Sequence, residues 1–176
     1  MRQLPSQREN LRGMRRRQGP QPRRRGETSR KGEPVGGEGI KVVVDMAADL
    51  FHAGHVAFLE KVRARFPMAH VTIWLNTDEQ ILSYKGSTPV MDYACRKAVL
   101  DACRLVDRVI ESPDVYTSTA LEEFDFICHG DDLFRWDAET KERFYGAAIR
   151  ENKLVTFPYT EGISTTLVIR RCKEKA

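Results

Sequence analysis

Cysteine is scarce in this chain: Cys95, Cys103, Cys128 and Cys172 are scattered through 176 residues and form no C-x-x-C pair. A disulfide framework and a structural zinc site are therefore not expected, and reduced thiols in a cytoplasmic setting fit better. Long apolar runs are missing too. No stretch matches a signal-peptide core or a membrane-spanning helix, so the expectation is a soluble protein. Internal repeats are also absent, and 176 residues suffice for one domain with a real core and a single site.

Acidic residues are sparse at the start of the chain. Residues 1–39 carry eleven Lys and Arg against four Glu, a local charge of +7 within a chain of net +4, which leaves −3 for the remainder. The stretch "MRRRQGPQPRRRGETSRKGEPVGGEG" has almost nothing to bury, cannot offset its own ordering entropy and is expected to be a disordered basic tail. Its charge suits nucleic acid or an anionic membrane surface. Organelle targeting is the other use of Arg-rich leaders, but four Glu and few Ser weigh against it. A solvated leader with no partner is the plainest reading, and residues 40–176 are taken as the folded domain.

From Ile40 onward, β-branched runs alternate with helical patterns. "IKVVVDMA", "AHVTIWLN", "DRVIES", "DFICHG" and "KLVTFP" read as strands. Helices are expected over "HVAFLEKVRARF", "DEQILSYK", "DYACRKAVLDACRLV", "DAETKERFYGAAIREN" and "GISTTLVIRR", with a weak one over "TALEEF". Five strands separated by helices need crossover connections, and strands that are apolar throughout are buried on both faces. The fold class is therefore α/β: a Rossmann-like, doubly wound, five-stranded parallel sheet with helices on both faces.

Ligands of such sheets bind beyond the carboxyl ends of the strands. Four polar clusters fall at that edge: "DLFHAGH" after the first strand, "NTDE" after the second, "HGDD" after the fourth and "YTEGISTT" after the fifth. His52 and His55 flank Gly54, which lets the backbone approach a ligand, at the start of a helix whose N–H groups favour an anion. Two imidazoles there can donate to phosphate oxygens; structural packing or a helix cap explains the pair equally well. A third ligand at short spacing is missing, so zinc is disfavoured. Ser164, Thr165 and Thr166 behind Gly162 suit a second phosphate or a simple N-cap. Lys85 offers a point charge from a loop or plain solvated surface, and Asp131 with Asp132 suits a hydroxyl, an ammonium, Mg²⁺ or an ordinary turn.

Taken together, "VVVDMAADLFHAGHVAFL", "NTDEQILSYKGSTPVM", "CRLVDRVI", "HGDD" and "EGISTT" resemble the cytidylyltransferase-type nucleotidyltransferases of the HxGH superfamily, in order and at comparable spacing from about Ile40 to Arg171. The resemblance implies transfer of CMP from CTP, accompanied by Mg²⁺, to a phosphorylated alcohol. His52, His55 and Lys85 would be the catalytic groups. The nucleotide would be held by Asp49, Phe51, Gly54, His129, Gly130, Asp131, Gly162, Ile163, Ser164, Thr165 and Thr166. Asp45, Asp114 and Arg135 would face the acceptor, and a homodimer is implied.

Departures from the family pattern bear on specificity. Tyr159 stands where members usually carry an arginine, which removes a phosphate or base contact, and Met46 and Ala48 reshape the acceptor side. Phosphocholine enzymes of the family enclose the quaternary ammonium with aromatic rings, and the counterparts here are Asp114 and Arg135, unless Tyr116 or Trp136 replaces the cage. The expected order of acceptors is phosphoethanolamine, then glycerol phosphate or another polyol phosphate, then phosphocholine. The rival readings are an adenylyltransferase and a non-catalytic nucleotide- or RNA-binding module.

Overall fold

The computed structural model describes residues 39–175; the basic tail expected over residues 1–39 lies outside the described residues except for Gly39. Five strands, β1 (Lys41–Met46), β2 (His70–Leu75), β3 (Arg108–Glu111), β4 (Phe126–Gly130) and β5 (Leu154–Phe157), form one sheet in the order β3-β2-β1-β4-β5. All four pairings are parallel, with Val43 opposite Thr72 on one side and Ile127 on the other. The crossovers run through α1 (Ala53–Arg65), α2 (Asp78–Lys85), α3 (Tyr93–Asp101) and α4 (Ala138–Arg150), and α5 (Thr165–Lys173) follows β5.

Alternation along β1 divides the interior in two, because successive side chains of a strand point to opposite faces. Val42 and Val44 pack with Leu59 and Val62 of α1 and Leu100 of α3. Val43, facing the other way, packs with Trp74, Ile127 and the Tyr145–Ala148 face of α4. A strand flanked by helices on both sides has no solvated face, which is why Val42, Val43 and Val44 follow one another without a polar residue between them. The order of strands reverses between β1 and β4. That reversal opens a crevice at their carboxyl ends.

Three local expectations are revised. "TALEEF" forms a succession of turns over residues 118–123 rather than a helix. There the Leu121 carbonyl accepts from the Lys153 ammonium at 3.0 Å, while Leu121 itself is buried. α3 stops at Asp101 instead of running to Val106. Arg63 of α1 takes the carbonyls of Leu105 and Ala69 and the carboxylate of Asp107, which holds residues 102–107 as an irregular link into β3. Directly after β4, the ordinary turn expected at Asp131 and Asp132 extends into a 3-10 helix over Asp131–Arg135. Among the described residues no helix is long and apolar enough to cross a membrane.

Candidate functional site

The link from β1 to α1 is strained and heavily fastened. Ala48 and Leu50 both adopt left-handed backbone, with φ of 52° and 47°, each costing about 1 kcal/mol for a residue with a Cβ. Asp49, between them, is buried, and its carboxylate accepts the N–H groups of Val90 and Met91 at 3.0 and 2.9 Å. Its carbonyl accepts the Thr165 hydroxyl at 2.9 Å. Two residues earlier, the Ala47 carbonyl is taken by the wholly buried guanidinium of Arg96, which also donates to the Met91 carbonyl and to Asp78. The turn is thereby bound to α2, to α3 and to α5.

Behind this turn, α1 starts with a capping box built from two histidines. His52 Nδ1 accepts the Gly54 N–H, and His55 Nδ1 accepts the His52 N–H, both at 3.1 Å. A backbone N–H can only donate, so both Nδ1 atoms lack a proton and both neutral rings carry it on Nε2. The rings lie 4.0 Å apart between centroids, and both line the cleft. Burial pushes the His52 pKa down; the same cause, reinforced by the neighbouring His52 and Lys85, takes His55 from 6.5 to about 4. The pair thus presents two neutral N–H donors. Glycine at position 54 is required by crowding: a Cβ there would sit 2.9 Å from His52 Cε1 and 3.0 Å from Ile163 Cγ2.

Acid attacks this cap, because an imidazolium carries a proton on the nitrogen that must accept. A histidine whose folded-state pKa is lowered contributes stability that is complete above its unfolded value and is lost as pH falls toward the folded one. The urea midpoint of unfolding is expected to drop between about pH 6.5 and pH 4. His55→Gln, whose side-chain carbonyl serves the same cap without titrating, makes that part of the profile shallower. An identical profile in the variant would remove His55 as the cause.

The crevice is a cleft of about 1090 Å³. Asp45, Asp49, His52, Gly54, His55, Lys85, Asp114, His129, Gly130, Arg135, Ile163, Ser164, Thr165 and Thr166 all line it. Phe51, Asp131 and Gly162 do not; each shapes a neighbour instead. Phe51 stacks on His55 with centroids 5.3 Å apart, Asp131 accepts the Tyr159 N–H at 3.0 Å, and Gly162, at φ 83°, turns the chain into α5. Ser164 caps α5 by accepting the Leu167 N–H at 3.1 Å, so the starts of α1 and α5 share one cleft. Lys85 ends α2 ahead of the left-handed Gly86, and burial lowers its pKa. Tyr159 is half exposed at the rim.

Past β4 the cleft acquires a second character. Asp45 is buried at the end of β1, and its carboxylate accepts the hydroxyls of Tyr145 at 2.7 Å and Tyr116 at 3.2 Å. Burial, with the Asp45 charge beside them, holds both phenols well above their ordinary pKa. His129 Nδ1 is 2.9 Å from the Gly130 carbonyl, which can only accept, so the neutral ring is protonated there and Nε2 is left as an acceptor. That nitrogen lies 3.9 Å from Asp45 Oδ2. Two acceptors facing one another across a cleft fit a shared donor between them. Trp136 and Phe144, ring centroids 6.3 Å apart, wall the same lobe, with Asp132, Arg135 and Arg143 around them.

Tyr145 and Gln80 escaped the sequence reading. Tyr145 sits on the apolar face of α4 at helical spacing from Ala148 and looks like core filler; its only signal is a hydroxyl that, once buried, needs a partner. Gln80 reads as the capping residue of α2, which it also is. Among the described residues, no three His, Cys, Asp or Glu side chains are grouped so as to hold a metal ion.

A family model described as Cytidylyltransferase-like matches residues 47–171. The chain is 34% identical over 142 residues to a probable choline-phosphate cytidylyltransferase of Schizosaccharomyces pombe, covering 79% of this chain and 38% of that protein. It is 38% identical over 102 residues to an ethanolamine-phosphate cytidylyltransferase of Mus musculus, covering 56% of this chain and 25% of that one. The matches thus span well under half the length of either relative. Among solved structures, a lipopolysaccharide core biosynthesis protein from Thermoplasma volcanium superposes with a TM-score of 0.54 at 20% identity, over 69% of this chain and 98% of that one. At that identity the likeness is one of fold.

Proposed function

The chain belongs to the cytidylyltransferase-like family, and from that premise we propose that it transfers CMP from MgCTP to a phosphorylated alcohol, phosphoethanolamine first among them, releasing pyrophosphate. The observation that carries this reading is the pair of Nε2–H donors of His52 and His55, side by side at the start of α1 in a cleft shared with the start of α5.

In-line attack of the acceptor phosphate on the α-phosphorus of CTP raises negative charge on the oxygens of that phosphorus as the bond to pyrophosphate breaks. The protein has no covalent step to perform; positioning and charge stabilisation suffice. His52 and His55 donate to the α-phosphate oxygens, and their lowered pKa values keep both rings neutral with the donor proton already in place. Lys85 brings a cation that burial keeps poorly solvated against the phosphates of either substrate. The N–H groups at the start of α5 take the departing pyrophosphate. Mg²⁺ enters as part of the nucleotide substrate.

Preference for an amine-bearing acceptor rests on Asp45 Oδ2 and His129 Nε2, 3.9 Å apart, between which a protonated amine can donate to both. A polyol hydroxyl can donate to one of them. A quaternary ammonium donates to neither, although Trp136 and Phe144 offer it aromatic surface.

The test is pyrophosphate release from MgCTP with phosphoethanolamine, glycerol phosphate, another polyol phosphate and phosphocholine in turn, with MgATP in parallel. Turnover with CTP and one of these acceptors is the expected result. Turnover with ATP alone would replace the reading with adenylyl transfer, and silence from folded protein would leave a nucleotide-binding module.

A further inference from the structure

One carboxylate at the cleft has no task in the transfer of CMP itself, yet it is held with care. Asp114 lines the cleft, and its Oδ1 accepts an N–H from the Gln80 amide at 2.9 Å. The same nitrogen donates to the Ser112 carbonyl at 3.0 Å. Gln80 cannot turn its amide over, because its Oε1 accepts the Thr77 N–H at 2.9 Å while its own backbone N–H donates to the Thr77 hydroxyl at 3.1 Å. Both orientations are therefore dictated by backbone groups: Thr77 N–H can only donate, and the Ser112 carbonyl can only accept. Two residues beyond Asp114, the buried Tyr116 is tied to Asp45. Residues 112–116 are fixed on both sides of Asp114, and the carboxylate is presented rather than left to wander.

On the cytidylyl-transfer reading above, we propose that Asp114, positioned by Gln80, grades acceptors by the number of N–H donors on their terminal nitrogen. A primary ammonium brings three donors, and each N-methyl group removes one. A trimethylammonium in the same place covers the carboxylate with methyl groups and strips its water without returning a hydrogen bond, which costs more than the remaining Coulomb attraction recovers. Asp114 is exposed in the free cleft, so the discrimination it contributes is about tenfold rather than the far larger factors of fully buried sites. Gln80 touches no acceptor in this account; it is a positioning residue.

The experiment compares kcat/KM for phosphoethanolamine, its N-methyl and N,N-dimethyl forms, and phosphocholine, in the wild type, Asp114→Asn and Gln80→Glu. The second variant separates positioning from folding: glutamate at position 80 still accepts the Thr77 N–H and keeps the helix cap, but it has no donor and sets a like charge against Asp114. The wild type is expected to decline stepwise along the methylation series. In both variants the ratio between the first and last acceptors falls by about tenfold, with the change in KM for the amine rather than for CTP, and in Asp114→Asn with the thermal midpoint preserved. A wild type that favours phosphocholine, or a ratio unmoved in both variants while turnover persists, overturns this inference and leaves cytidylyl transfer standing. No turnover with any acceptor overturns the transfer reading and this inference with it.

Discussion

His52→Asn and His55→Gln lower kcat for CMP transfer by about 10²–10³ each, the loss typical of removing one preorganised donor to a developing oxyanion. These two substitutions are chosen over alanine because each imidazole has two duties. Nδ1 of His52 accepts the Gly54 N–H and Nδ1 of His55 accepts the His52 N–H, so alanine at either site also strips the helix start, at about 1 kcal/mol. Asparagine is a favoured N-cap and glutamine a favoured third-position partner, so both variants keep the acceptor and exchange the Nε2–H, held across a rigid ring from it, for amide N–H groups on the same carbon as the accepting oxygen. Steady-state kinetics with MgCTP at saturating acceptor, beside thermal melts, reads the two duties apart. A kcat within threefold of wild type in both variants would take the histidines out of the reaction and leave them as caps.

Arg96→Met destabilises the fold by about 3 kcal/mol, the lower end of the range for breaking a buried ion pair from one side, because the Asp78 side chain left behind keeps 31% of its surface exposed. Arg96 has no exposed surface, and its guanidinium donates to the carbonyls of Met91 and Ala47 and, at 2.6 Å, to Asp78 Oδ1. Methionine fills much of the volume but leaves two carbonyls and a carboxylate without that donor. Because the Ala47 carbonyl precedes the left-handed Ala48, the same substitution slackens the turn that carries His52. Denaturant unfolding measures the first effect. The double variant Arg96→Met, Asp78→Asn is expected to recover part of it, since the stranded charge is then gone. A loss below about 1 kcal/mol would mean that water reaches the site and replaces the guanidinium.

What could be read from the sequence, and what could not, follows from how far each residue's partner lies along the chain. The strands are legible because burial on both faces leaves β1 and β2 dominated by β-branched and other large apolar side chains, only the first residue of each escaping burial. α3 ends before its sequence pattern does and "TALEEF" forms turns for one reason: the groups that capture the carbonyls of Leu105 and Leu121 are Arg63 and Lys153, 42 and 32 residues away. The cleft-lining histidines, Lys85 and the hydroxyls before α5 could be found because their types and spacings are local. Their wiring could not. Asp49 lines the cleft, and its carboxylate is in addition tied to the N–H groups of Val90 and Met91, 41 and 42 positions away. Gly54 also lines the cleft, and the His52 ring and Ile163 occupy the space a Cβ there would need, a second constraint that no local pattern reveals.

The central position of β1 has a consequence for how the chain matures as it is made. β1, β2 and β3, with α1, α2 and α3, lie in one continuous segment, and that segment includes His52, His55, Lys85 and Gln80. The second edge of β1 is covered only when β4 arrives; the Lys41 N–H bonded to Asp125 spans 84 positions. Loops of that size close slowly compared with helices and neighbouring strands. During synthesis from the N-terminus, the histidine pair and Lys85 therefore emerge on a half-sheet with one sticky edge, before His129 and the start of α5 exist. Competence for two substrates is the last property the chain acquires, and the interval before it is when the open edge of β1 is most exposed to the wrong partner.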